Sequence, residues 1–143
     1  MSEGNPEDII RWTEGKALIA TGSPFEPVNY GGRFIKISQG NNVYVFPGVG
    51  LGAIISGAKR ITDGMLKAAA LALAHSVRPS DLEQGLLYPP LSELNTICEA
   101  IALEVGKCAV SEGVAAETDE KTLKERIKHT MWRPHYPRVN LQT

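Results

Sequence analysis

Cysteine, histidine and aromatic side chains are scarce in this sequence, and it has no long apolar run and no block of one charge sign. Each shortage removes a class of function. The two cysteines, Cys98 and Cys108, fall in one expected helix, where their ten-residue separation corresponds to roughly 15 Å, too far for a disulfide. They read as reduced, buried residues, which is consistent with the cytoplasm. The three histidines, His75, His129 and His135, are scattered, so no Cys/His cluster has metal-ligand spacing. The longest nearly apolar stretch, residues 43–55, contains Pro47, Gly48, Gly50 and Gly52 and is too short to span a bilayer. Residues 1–12 are acidic and polar, so no secretory or transit segment is expected. A net charge of -1, without a basic block, argues against nucleic-acid or membrane-surface binding as the main role.

What is present is an ordinary globular composition, 43% hydrophobic and 22% charged over 143 residues, a one-domain length. Asn5-Pro6-Glu7-Asp8 marks a helix start, and Gly15 ends that helix past Trp12. Residues 16–21 (KALIAT) are expected as a buried strand, closed by the turn Gly22-Ser23-Pro24. Gly31-Gly32 suggests a hairpin turn between residues 28–30 and 34–37. Residues 43–46 (VYVF) look strand-like, and Pro47 starts a glycine-rich helix reaching about Ala58.

The remainder reads as helical. Thr62 is expected to cap a helix with Met65, Leu66, Ala69, Ala70, Leu73 and Val77 at helical spacing. Ser80 and Glu83 suggest a capping box on a short helix stopped by Gly85. Ser92 should cap a long helix burying Leu94, Ile97, Cys98, Ile101, Ala102, Val105 and Ala109, and ended by Gly113. Thr118 with Asp119 and Glu120 opens a last helix using Leu123, Ile127 and Met131. Residues 134–143 have Pro134 and Pro137 and no periodicity, so they form an expected extended tail after a domain portion covering residues 1–133. Strands are few and crowd the first third. The fold class is therefore α/β, mostly helical, and such a small sheet is expected to be the end of a larger domain.

Few residues carry obvious chemistry. Gly48, Gly50 and Ala53 satisfy the G-x-G-x-x-A form of a dinucleotide fingerprint, in which bare N–H groups at a helix start cradle a pyrophosphate. Against it, Pro47 removes an N–H, and a capped helix follows instead of a strand ending in a ribose-binding acid. Gly48, Gly52 and Ser56 also recur every four residues, so close helix packing is the preferred reading. Asn41-Asn42 has two readings. The pair suits a turn, and it also suits ligand contact, because a carboxamide both donates and accepts hydrogen bonds. Glu7, Asp8, Asp81 and Glu83 are helix-start charges, and Ser23 lies in no nucleophile elbow. No catalytic residue and no metal ligand is assigned.

Several segments in order resemble the malic enzyme family: residues 15–25 (GKALIATGSPF), 39–52 (QGNNVYVFPGVGLG), 60–63 (RITD) and 85–91 (GLLYPPL), with Trp132 to Tyr136 at the end. The resemblance implies the C-terminal part of a Rossmann-like NAD(P)-binding domain and its following helices. It also implies oxidative decarboxylation of malate to pyruvate and CO2, with NAD or NADP and Mn²⁺ or Mg²⁺. By the same resemblance Asn41 and Asn42 lie at the pocket edge, where an amide contacts malate or the nicotinamide. They become the leading substrate- and cofactor-binding candidates. The family's tyrosine acid, lysine base, metal-binding acids, malate-binding arginine and phosphate-binding glycine loop would all precede this region. The 143 residues alone are therefore expected to be inactive, and the parent enzyme a homo-oligomer. The malolactic enzyme shares these signatures, and a non-enzymatic helical interaction module remains a further alternative.

Overall fold

A computed structural model describes residues 4–132; the expected tail, including Pro134, His135 and Tyr136, lies outside the described residues. The first helix, α1 (Pro6–Trp12), starts as its sequence dictates. Asn5 Oδ1 accepts the Glu7 N–H at 3.0 Å, and Pro6 occupies a first-turn position. The first third then forms two small ladders. β1 (Ala20–Thr21) runs parallel to β4 (Ser38–Gln39), with Ala20 opposite Ser38. Between them β2 (Val28–Tyr30) and β3 (Arg33–Ile35) make an antiparallel hairpin. Gly31 (φ 58°) and Gly32 (φ 76°) take the two left-handed positions of its turn, where a side chain would be strained.

The strand expected over residues 16–21 is thus only two residues long. Ladder bonding needs a neighbour, β4 reaches only its end, and Leu18 is 60% exposed. Residues 43–46 are not a strand. A 3₁₀ turn (Asn42–Tyr44) leads into α2 (Phe46–Ser56), because Asn41 Oδ1 accepts the Val43 N–H and the Tyr44 and Val45 N–H groups donate back to Asn41 and Asn42. This local capping overrides the β-propensity of the run.

α3 (Asp63–His75) is capped by Thr62, whose Oγ1 accepts the Met65 N–H. It buries Met65, Ala69, Ala72 and Leu73, while Leu66 and Ala70, expected inward, are exposed. α4 (Pro79–Glu83) begins before the expected Ser80 cap, because Pro79 fixes the first helical φ. Asp81 lies in the first turn of α4, as expected of a helix-start charge; it is also buried and accepts from Arg78 Nε at 2.8 Å. That hydrogen bond and the Asp81 charge raise the Arg78 guanidinium above its ordinary pKa. Ser92 caps nothing. It lies inside a 3₁₀ turn (Leu91–Glu93) set by Pro90, which runs directly into α5 (Leu94–Ser111). Asp119, not Thr118, caps α6 (Glu120–Thr130), accepting the Thr122 N–H at 2.7 Å.

α5 is central. It packs against α2, α3 and α6. Val49, Met65, Ala69, Leu73, Ile97, Ile101, Val105 and Ala109 form one core. Ile55, Ala102, Leu123 and Ile127 form a second cluster. Cys98 and Cys108 are unbonded and half-buried instead of fully buried. Burial first, and then Glu99 and Glu112 respectively, push their thiols up, so neither is an activated nucleophile.

Candidate functional site

The glycines of the fingerprint-like run face protein. A Cβ at Gly48 would lie 2.6 Å from Ile101 Cβ, and one at Gly52 would lie 2.7 Å from Val105 Cβ and from the Ala102 carbonyl oxygen. The third small residue, Ser56, is buried and its hydroxyl donates to the Gly52 carbonyl at 2.8 Å. The stripe is therefore the contact along which α2 meets α5, and the space a pyrophosphate would need is filled by α5 side chains. Gly50 points elsewhere, into open space.

The asparagine pair is placed differently. Asn41 and Asn42 line a cleft of about 360 Å³ together with Ala20, Thr21, Gly22, Gly40, Val45, Leu73 and Tyr88. Strand ends β1 and β4 form one side of this cleft. Ligands of open α/β sheets commonly bind at such carboxyl ends. Asn41 has its Oδ1 committed to the Val43 N–H at 3.0 Å, which leaves its amide nitrogen as a donor. The Asn42 side chain makes no hydrogen bond among the described residues and keeps its whole donor and acceptor capacity. Thr21 differs: its hydroxyl donates to the Ser23 carbonyl at 2.8 Å and serves the turn. Among the described residues no lysine, arginine or acid lines the cleft, and those that do line it offer neutral hydrogen-bonding groups.

Behind the asparagines stands a feature that sequence reasoning missed. Tyr88 stacks on Tyr44 with ring centroids 5.6 Å apart and planes at 21°. Tyr44 is buried, and its hydroxyl donates to the Pro89 carbonyl at 2.6 Å. Burial, and then the neighbouring Tyr88, raise its pKa, so it stays a neutral donor. The two tyrosines are far apart in the chain and belong to no common periodicity. Only the turn-forming Pro89-Pro90 hinted that residue 88 would be held in place.

Among the described residues no group of three or more His, Cys, Asp or Glu side chains could hold a metal ion. No helix among them is long and apolar enough to cross a membrane.

Comparison with known proteins gives the family. Residues 1–110 match the model of the malic enzyme NAD binding domain. The chain belongs to the malic enzyme family. Its sequence is 53% identical over 134 residues to the NAD-dependent malic enzyme of Pectobacterium carotovorum subsp. carotovorum (strain PC1), covering 94% of this chain and 24% of that protein. The NAD-dependent malic enzyme of Sodalis glossinidius (strain morsitans) is 47% identical over the same shares. The crystal structure of Entamoeba histolytica malic enzyme superposes with a TM-score of 0.63 at 30% identity, over 89% of this chain and 24% of that chain. This member of the family thus spans about a quarter of the length of these relatives, and its helix-rich α/β fold is that of the matching part.

Proposed function

We propose that this chain forms one wall of the ligand cleft of an NAD-dependent malic enzyme, which oxidises and decarboxylates malate to pyruvate and CO2 while reducing NAD. The observation that carries the reading is the unengaged Asn42 carboxamide on a neutral cleft, beside the free amide nitrogen of Asn41. An amide N–H donates to a carboxylate, and a whole carboxamide pairs with the nicotinamide amide, so the pair suits either end of the reacting complex. Its role is to hold and orient a ligand. A bound carboxylate also needs a cation, and none of the described residues lining this cleft is one, so charge neutralisation is assigned elsewhere in the polypeptide. The acid, the base and the ligands of the family's Mn²⁺ or Mg²⁺ are assigned there as well, because the described residues offer no such set. NAD is preferred over NADP on the names of the relatives. The widely separated, unbonded cysteines fit a reducing, cytoplasmic setting, and a homo-oligomeric parent fits the apolar side chains that this chain leaves exposed.

A hybrid enzyme tests the reading: these residues replace the matching quarter of the Pectobacterium carotovorum protein. Malate-dependent NADH and CO2 formation is expected. Asn42→Ala in the hybrid removes a hydrogen bond to a charged or polar ligand, worth about 1.5–3 kcal/mol, and raises KM for malate or NAD roughly tenfold or more. An inactive hybrid, or an N42A variant with both KM values unchanged, would overturn the proposal.

A further inference from the structure

The turn bearing Asn41 and Asn42 is gripped from outside by one distant segment, residues 87–89. Four contacts do this, two ahead of the turn and two at its last residue. Ahead of it, the buried Ser38 accepts the Leu87 N–H on its Oγ at 2.6 Å. Just before the cap, Gly40 lies against the Tyr88 ring, so close that a Cβ there would be 3.3 Å from Cε2. At its last residue, Tyr44 stacks on that same ring and donates to the Pro89 carbonyl. Pro89 is buried and Pro90 follows, so the gripping segment is itself stiff. At its two ends the turn is also tied by the Gly40 N–H, which donates to the Thr21 carbonyl at 2.9 Å, and by Tyr44 in the core beside α5; its middle has little else. Asn41, Asn42 and Val43 are exposed, and their local bonds are the Asn41 cap and two 3₁₀ hydrogen bonds.

We infer that residues 87–89 are a clamp and Tyr88 its positioning residue, fixing the asparagine carboxamides in the cleft through its ring. Ligand-binding side chains must be held within a fraction of an ångström by packed neighbours, and a short exposed turn does not achieve that alone. The ring carries both contacts: its Cε2 and Cζ are the atoms nearest Gly40, and its plane stacks on Tyr44. The inference rests on the asparagines being the ligand wall, but the clamp itself is measured without any ligand.

The test is amide hydrogen exchange on the 143-residue chain. The reporters are the N–H groups of Val43, Tyr44 and Val45, whose acceptors are Asn41 Oδ1, Asn41 O and Asn42 O. In Tyr88→Leu these three should exchange about tenfold faster, the loss of a local opening barrier, while buried α5 amides such as Ile101 and Val105 keep their protection. Tyr88→Phe should restore wild-type rates, because it keeps the ring. Should Y88L also strip α5 of protection, Gly40→Val is read in the same way, since it displaces the ring without deleting its apolar area. Turn rates within twofold of wild type in the variant read, or a Y88F protein as fast as Y88L, overturn the clamp. A parallel titration with L-malate, and separately with NAD, follows the Asn42 side-chain amide at tens of millimolar, where contacts this few still register. The Asn42 signal should move, with affinity several-fold weaker in Y88L. No movement in the wild type overturns the ligand reading and leaves the exchange result to decide the clamp. Movement of equal affinity in Y88L overturns the positioning role.

Discussion

A few glycines in α2 separate packing from ligand binding more sharply than any charged residue in the chain. Gly48 and Gly52 are pressed on α5, with less room than one methyl group. Alanine at either position forces the Ile101 or Val105 side chain, or the α5 backbone itself, to move. Overpacking of this kind costs about 1–3 kcal/mol. Gly50, between them, has open space, and alanine there gains up to about 1 kcal/mol of helix propensity. Urea unfolding should therefore give a lower midpoint for Gly48→Ala and Gly52→Ala and an equal or higher one for Gly50→Ala. A stabilised G48A or G52A would contradict the packing assignment. The repeat of small residues every four positions was visible in the sequence, and it favoured packing over phosphate binding. Apart from the neighbouring Pro89-Pro90, nothing local pointed to Tyr88, whose partners Gly40 and Tyr44 are distant in the chain.

At the scale of elements, legibility followed the caps. Asn5 and Thr62 hydrogen-bond as their identities suggest, and the helices after them start where expected. The expectation over residues 43–46 failed because Asn41 caps a turn just before an apolar run that periodicity reads as strand. Ser80 and Ser92 failed because a proline nearby already sets the backbone. In α6 the cap is Asp119, and its hydrogen bonds to Thr122 hold the carboxyl below the ordinary carboxylate range, near 4. Glu120 is lowered as well, first by its hydrogen bond to Lys124. A depressed folded-state pKa contributes stability above the unfolded-state value and loses it as pH falls through the folded-state value. The α6 end should therefore loosen only below about pH 4. Asp119→Asn keeps a cap that does not titrate, so exchange of the Thr122 amide should become less sensitive to acid than in the wild type. Identical acid profiles would show that the Asp119 carboxylate is not the group responsible.

For the whole molecule the question is what the chain leaves uncovered. β1 is bonded to β4 at its last two residues, while Leu18, just before it, is 60% exposed and Phe34 on the hairpin is 75% exposed. These two share a surface hollow of about 320 Å³ with Ile35, Leu82 and Gly85. Apolar side chains gathered at the end of a short parallel ladder are what an α/β sheet normally covers with further strands and helices. The same incompleteness governs chemistry, since the cleft holds carboxamides without a cation, an acid–base pair or a metal-ligand set among the described residues. The purified 143-residue chain, free of host enzyme, should therefore show no malate-dependent reduction of NAD or NADP, and any such turnover would refute this. Its uncovered surface has a separate consequence: the chain should self-associate through these apolar side chains. Light scattering at rising concentration should give a mass above the 15.5 kDa of one chain. Leu18→Glu with Phe34→Glu should return it to the monomer mass with little loss of stability, because neither side chain is in the core. A wild-type chain that stays monomeric at high concentration would mean that this surface does not drive association in water.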